Sequence, residues 1–419
     1  MGDVRTLEEA DEVWSWGAGT SGQLGNGKLD DELLPKRAQQ LDEEQLKQIA
    51  CGGSHAVGVT DDGRVFTWGS NPAEGPNTFI PAALPQPLEA LSGIKIVKVA
   101  AGWAHTALIT DDGKVLTYGE GQYGQLGLGT RSSVVAPSVV EALASVRAVD
   151  VACGLRHTLV LVEDASGTSC VRAFGAGKRG QLGVSSPTLV ATRPVTVDGL
   201  NGVQVRAVSA AGDHSAALTV NGDLMAWGRG YLDAPDMHVP IRIGRGKKWS
   251  HMALGWSHGL ALADEGGLWA WGSNRYGQLG TGASAPGTLP SPSAQLGVPG
   301  DPSPGLNNNH KVEREVKGAE LKQIPFFVGR KVTGIAAGAE HSAAVTDSGE
   351  VFTWGWAEHG QLGLGDTQDR DTPQLLAVGL SPSQTRTSAQ VYCGSGFTFV
   401  VLRHRQESEE AADVAVRTG

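Results

Sequence analysis

The sequence predicts an all-β protein: a seven-bladed β-propeller of four-stranded antiparallel blades, closed by pairing of its N- and C-terminal strands. Three observations carry this. An aromatic-Gly pair recurs down the chain, with Trp16, Trp68, Tyr118, Phe174, Trp227, Trp271 and Trp354 in the aromatic slot at spacings of 44–56 residues and one of 83. A second marker precedes six of them, as in CGGSH, AGWAH and CGLRH, and places His55, His105, His157, His214, His258 and His341 at one slot. The last marker, Cys393 to Val401, has Phe397 in the histidine slot and no aromatic-Gly after it, whereas the first W-G has no marker before it. These two halves make one split unit. Periods near 50 residues with several short strands each indicate a propeller or solenoid, and a split unit selects the closed ring, because closure removes exposed sheet edges.

Each unit reads as four strands. In the second, KIVKVAAG is the first strand and HTALIT the second. DDG makes a tight two-residue hairpin, since Asp-Gly accepts positive φ. KVLTYG is the third strand, GQYGQLGLG the return loop, and APSVVEAL the Pro-led outer strand. From histidine to aromatic the distance is 13 residues in every unit but the third, where EDASGTS lengthens the hairpin. The 59 glycines, about twice the usual share, serve these turns.

The stretch Gly17–Gly22 (GAGTSG) matches the dinucleotide-binding G-x-G-x-x-G. A phosphate site of that kind needs a helix directly after the glycines. The residues that follow, QLGNGKLDDELLP, are rich in Gly and end in Pro, so the match is a by-product of the repeat. No G-x-S-x-G elbow, H-E-x-x-H pair or Walker lysine occurs. No catalytic, cofactor or metal site is expected. The six regular histidines sit on different units and are expected to hydrogen-bond their own blade's backbone.

Bulk properties narrow the function. The chain has 419 residues, 19% charged, with a net charge of −10. Residues 1–12 read as an acidic tail, 13–402 as the propeller and 403–419 as a polar tail. Phosphate-neutralising proteins usually show a basic excess or arm, so nucleic acid is not expected as a partner. There is no apolar run of transmembrane length and no apolar core near the N-terminus, so no membrane partner is expected. Cys51, Cys153 and Cys393 share one repeat slot with Ala101, Ala211, Leu254 and Ala337, which reads as a buried apolar position. Equivalent slots on different blades should not pair, so reduced thiols and a nuclear or cytoplasmic location are expected.

Two groups of residues are candidates for partner binding. Trp103 and Trp256 lie in the turn before the histidine, where loop aromatics make contact residues, and Arg156 stands in the third of these turns. Arg242, Arg245, Lys247 and Lys248 form a basic run that would steer an acidic partner. The long sixth spacing comes from a Pro-, Gly- and Ser-rich insertion, 282–327, read as a mobile loop with a short helix near HKVEREVKGAELKQ.

The series G-x-x-H, D-G, W-G and G-Q-L-G, in seven copies from about Val13 to Leu402, resembles the regulator of chromosome condensation repeat family. The resemblance implies the propeller and a monomeric protein-interaction module, with guanine-nucleotide exchange on a small GTPase as the leading activity. A chromatin-binding role fits poorly, because the tail is acidic. A role like that of the plant UV-B photoreceptor also fits poorly. It would call for G-W-R-H-T in consecutive units, and here Trp103 and Trp256 stand three repeats apart, too far for an indole cluster to be expected.

Overall fold

The computed structural model describes residues 11–70, 81–164, 166–186, 188–230, 235–282, 320–377 and 386–404. They form seven four-stranded antiparallel sheets in a ring. We number the blades in chain order. Blades 1 to 6 run from Leu46 to Pro87, Ile96 to Val139, Arg147 to Thr196, Val205 to Ile243, Trp249 to Gln323 and Val332 to Leu375. Blade 7 joins Arg386–Cys393 and Phe397–His404 to Glu12–Gly17 and Glu32–Arg37. Its central pair runs from Glu12 opposite Leu402 to Gly17 opposite Phe397. The expected closure of the ring through the two chain ends is what the structure shows.

Within a blade the strands run A to D from the axis outward. The A–B turns (the G-x-x-H markers) and the C–D return loops (G-Q-L-G) lie at one end of the ring, here the top. The B–C hairpins and D–A connections lie at the other end. The D strands contain Pro35, Pro85, Pro137, Pro194, Pro240 and Pro373, tolerated because an outermost strand needs no ladder donor on its free side. The B–C hairpin differs from the two-residue turn expected. Thr60 N donates to Arg64 O and Gly63 N to Thr60 O around three residues, Asp61-Asp62-Gly63, while Arg64 N donates to Thr60 Oγ1, and Gly63 has φ +91°. This is a turn followed by a left-handed residue, the usual three-residue hairpin.

The core is divided into pockets between blades. The aromatic slot fills them: Trp16, Trp68, Phe174, Trp227 and Trp354 are each at most 1% exposed. Each G-Q-L-G motif serves this packing. The Gln side chain accepts from its own loop's backbone, as Gln361 Oε1 does from His359 N at 2.9 Å. The Leu is buried, and the Gln carbonyl points into the next blade. There it accepts from the slot tryptophan: Trp16 Nε1 to Gln361 O, Trp68 to Gln23 O, Trp227 to Gln181 O and Trp354 to Gln278 O, at 2.8–3.0 Å. The closing Gly lies flat on the same indole, and a Cβ at Gly280 would stand 2.8 Å from Trp354 Nε1.

The histidines also act across blades, which corrects the expectation that each would bond its own. His55 Nε2 meets Thr106 Oγ1 of the next blade at 3.0 Å, His105 meets Thr158 at 2.9 Å, and His157 meets Ser215 at 2.9 Å. His258 meets Ser342 at 2.8 Å and His341 meets Thr398 at 3.0 Å. Thr158, Ser215, Ser342 and Thr398 donate their own protons to Gln carbonyls. The imidazole must therefore be the donor, with its proton on Nε2. The marker glycine is explained by the same ring, since a Cβ at Gly102 would stand 2.3 Å from His105 Cε1. Two junctions depart from the pattern. At the seam, Phe397 replaces the histidine and its partner slot holds Ala56. Between blades 4 and 5 the hydroxyl slot is Gly259, the Trp271 ring occupies the space, and His214 instead donates to Gly255 O at 2.6 Å.

Burial holds these histidines neutral. His105, His157, His258 and His341 are lowered to about 3, and His55 and His214 to about 4. The unfolded chain, with ordinary histidines near 6.5, binds protons that the native ring refuses. Stability is therefore full above 6.5 and falls as pH drops toward 3–4. At pH 5 each histidine should withdraw about 2 kcal/mol. Equilibrium denaturation at pH 7.5 and 5.0 should show a large fall in midpoint, with proton uptake on unfolding; equal midpoints would rule this coupling out. In a second measurement, Thr158→Ala should cost about 1–3 kcal/mol by orphaning the His105 N–H. Adding His105→Phe, which recreates the seam pair, should recover part of that loss in a double-mutant cycle. Strict additivity would count against the clasp.

Candidate functional site

The top of the ring gathers the loop side chains that the core does not use. A cavity of about 130 Å³ runs along the axis, lined by the ends of the A strands and their turns. The cysteine slot belongs to this lining, with Cys51, Cys153 and Cys393 beside Ala101, Ala211, Leu254 and Ala337. The slot expected to be buried thus faces the channel: Cys153 is buried, while Cys51 and Cys393 are partly accessible, and all three are free thiols. Burial pushes Cys153 and Cys393 up to about 12, which keeps them protonated and poor nucleophiles. Neighbouring turns are tied around the mouth by backbone bonds, including Leu155 N to Gly212 O, Trp256 N to Ala339 O and Ser395 N to Gly52 O.

Trp103 and Trp256 stand at this mouth. Three repeats separate them in sequence, but the ring sets blades 2 and 5 across a narrow axis, and their rings meet edge-on at 5.1 Å. An indole pair is therefore assembled, against the expectation drawn from their spacing. Trp103 is 38% exposed. The arginines stack on other rings: Arg156 lies over Tyr123 at 4.4 Å and Arg275 over Tyr276 at 5.3 Å.

Beside the channel a groove of about 460 Å³ crosses blades 4, 5 and 6. Trp256, Leu155 and Ala339 form its apolar side, and Tyr276 and Trp356, 6.1 Å apart, form a wall. Asp213 and Glu340 occupy the turn position directly before the histidine. Arg229 and Trp356 occupy the position directly after W-G. Arg229 reaches Asp213 at 3.7 Å. Glu340 Oε2 accepts from Ser257 Oγ and Gln278 Nε2, and burial raises its pKa above the ordinary glutamate value. None of Tyr276, Trp356, Arg229, Arg275 or Glu340 stands out from the repeat consensus. The available signal was positional and partial: Glu340, Arg229 and Trp356 stand at slots where several repeats carry Ala or Ser, while the slots of Tyr276 and Arg275 hold polar or large residues in other repeats as well.

The basic run does not join this face. Arg242, Arg245, Lys247 and Lys248 follow or end the D strand of blade 4 and lie at the bottom. Asp223 takes both Arg242, at 2.7 Å, and Lys248, at 3.0 Å, while Lys247 pairs with Glu265 and covers the Trp269 ring at 4.6 Å. Among the described residues only Arg245 of the four carries no ion pair, so the steering patch expected from the sequence is largely neutralised. Of the insertion, residues 283–319, with most of the expected helix at 310–323, lie outside the described residues, and the end of that helix is corrected to strand. Lys322–Gln323 pairs as the D strand of blade 5, and Phe327 is 1% exposed in the core. The last part of the supposed loop is thus blade structure. Among the described residues no three His, Cys, Asp or Glu side chains converge as for a metal ion, and no helix is long and apolar enough to cross a membrane.

Comparison with known proteins agrees with this architecture. The chain is 30% identical to the ultraviolet-B receptor UVR8 of Arabidopsis thaliana over 94% of its length and 84% of the receptor's. It is 32% identical to the secretion-regulating guanine nucleotide exchange factor of Mus musculus, over 95% of this chain and 85% of that one. It is also 32% identical to the probable E3 ubiquitin-protein ligase HERC4 of Mus musculus over 85% of this chain, but spans only 32% of the ligase. Among solved structures it superimposes on yeast RCC1 (Prp20), in its complex with Kap60, with a TM-score of 0.73 at 22% identity, covering 98% of this chain and 92% of that one. Human WBSCR16 gives 0.73 at 24%, covering 95% and 100%. The model of the RCC1-like domain matches residues 12–400, and the chain belongs to that family.

Proposed function

We propose that the chain is a protein-interaction propeller of the nucleus or cytoplasm that regulates a small GTPase by promoting release of its guanine nucleotide. It would use its top face for this. The observation that carries the reading is the Trp103–Trp256 pair beside an aromatic groove. Such rings, held on short turns of a closed ring, bury large area on binding with little ordering cost. Two comparisons support the class of partner. The exchange-factor relative matches along nearly its whole length, and one solved relative is described by its binding to Gsp1p and histones. The acidic net charge argues for the GTPase over chromatin.

Exchange asks nothing of a catalytic residue. A rigid surface lowers nucleotide affinity by binding the nucleotide-free GTPase more tightly than the loaded form, a linkage effect. The bottom face, with its basic run internally paired, would not take part.

Purified protein mixed with small GTPases carrying a fluorescent guanine nucleotide should accelerate release from at least one nuclear or secretory member. Trp256→Ala and Trp103→Ala should each cut that rate at least tenfold, and Lys247→Ala should leave it unchanged. Release no faster than in buffer across the panel would remove the exchange reading. A second reading, light-dependent dimerisation, is favoured by the similarity to the ultraviolet-B receptor and by the indole pair. It predicts a dimer in the dark that separates after UV-B illumination on a sizing column, and a monomer before illumination ends it.

A further inference from the structure

We propose that the groove between blades 4, 5 and 6 receives one cationic side chain of a protein partner, an arginine or lysine flanked by acidic residues. Glu340 is its counter-ion, and Trp256 and Trp356 are its walls. This rests on the reading that the top face docks a protein, and it names what the groove selects.

Glu340 is a carboxylate that makes no ion pair among the described residues, although the charge of Arg275 acts on it through space. Glu340 is held by two neutral donors, Ser257 Oγ and Gln278 Nε2, and both bonds fall on Oε2. Among the described residues no cation lies within ion-pair distance of it, although Arg275 lines the same groove. The Arg275 guanidinium lies over Tyr276 instead. Oε1 is thus left for whatever enters. A partly buried carboxylate beside aromatic rings loses solvation that an opposite charge would restore. Burial raises the Glu340 pKa for this reason, so the charged form destabilises the free protein at neutral pH. A residue kept at such a cost is a mark of a binding position.

The surroundings fit a cation. Indole and phenol faces attract guanidinium and ammonium groups, most strongly when water is excluded, and Trp256, Trp356 and Tyr276 line the groove with Glu340. The charge pattern extends outward. Arg275 and Arg229 also line the groove, the latter beside Asp213 at 3.7 Å. An anionic centre flanked by arginines is complementary to a basic residue between carboxylates, and repels a purely basic segment.

The test uses the full chain and two probes, acetyl-Glu-Arg-Glu-amide and its citrulline counterpart, titrated at pH 7.5 with ligand-detected NMR. Citrulline keeps the shape and removes the charge, so this comparison needs no variant. The arginine probe should bind at least fivefold more tightly than the citrulline probe. Glu340→Gln should erase that difference, and Lys247→Ala should preserve it. Equal binding of the two probes, no binding of the arginine probe, or an undiminished preference in Glu340→Gln would overturn the proposal. The broader docking reading fails separately. If Trp256→Ala abolishes GTPase stimulation while Glu340→Gln does not, the face stands and the cation slot falls.

Discussion

The hydrogen bond from a buried imidazole to the hydroxyl of the next blade is the constraint on which the ring depends. Blades touch mainly through apolar side chains, which would permit sliding. The histidine N–H has one acceptor at one distance, and leaving it unmet in a dry interior costs about 1–3 kcal/mol. Each clasp therefore fixes the angle between two sheets, and the tryptophan bond to the Gln carbonyl fixes it a second time. Both converge on the same carbonyl, so loop, aromatic, hydroxyl and imidazole form one continuous polar chain through an otherwise apolar wall. The marker glycine and the loop glycine follow from the flat contacts these rings require.

This explains how the repeats can vary without opening the ring. Where one member of the clasp is lost, the other is either replaced or finds a new acceptor. Phe397 faces a slot holding Ala56, and Gly259 makes room for Trp271. The paired replacement leaves an apolar contact, and the lone one strands no polar group because the Gly255 carbonyl meets His214. The junction of blades 7 and 1 keeps the Trp68 bond to Gln23 O, and the chain ends are joined by a full strand pairing inside blade 7.

The architecture was legible in the sequence because each blade repeats the same local demands: a glycine under a ring, a turn, an aromatic, a loop that ends in glycine. What a polar residue does between blades was not legible. His55 reads as a local group until blade 2 is placed beside it. The cysteine slot reads as buried because its neighbours are alanine and leucine, yet it borders the channel. Trp103 and Trp256 look distant because sequence separation is not separation across a ring. The run from Arg242 to Lys248 looked like a patch because Asp223 and Glu265, which neutralise it, lie on hairpins some distance away in sequence. The groove was the least visible feature. Glu340, Tyr276 and Trp356 come from the turns and loops of blades 5 and 6, and only the ring brings them together.

The split seventh blade sets a condition on how the molecule is made. Strand Glu12–Gly17 emerges from the ribosome before the other six blades, yet its inner neighbour, Phe397–His404, follows all of them. At ordinary elongation rates that interval is tens of seconds. Throughout it a nascent chain holds six nearly finished blades and an unpaired N-terminal edge, an invitation to wrong partners. The final clasp, from His341 to Thr398, forms only as that edge is covered. Synthesis of Phe397–His404 thus turns an open arc into a ring in a single step.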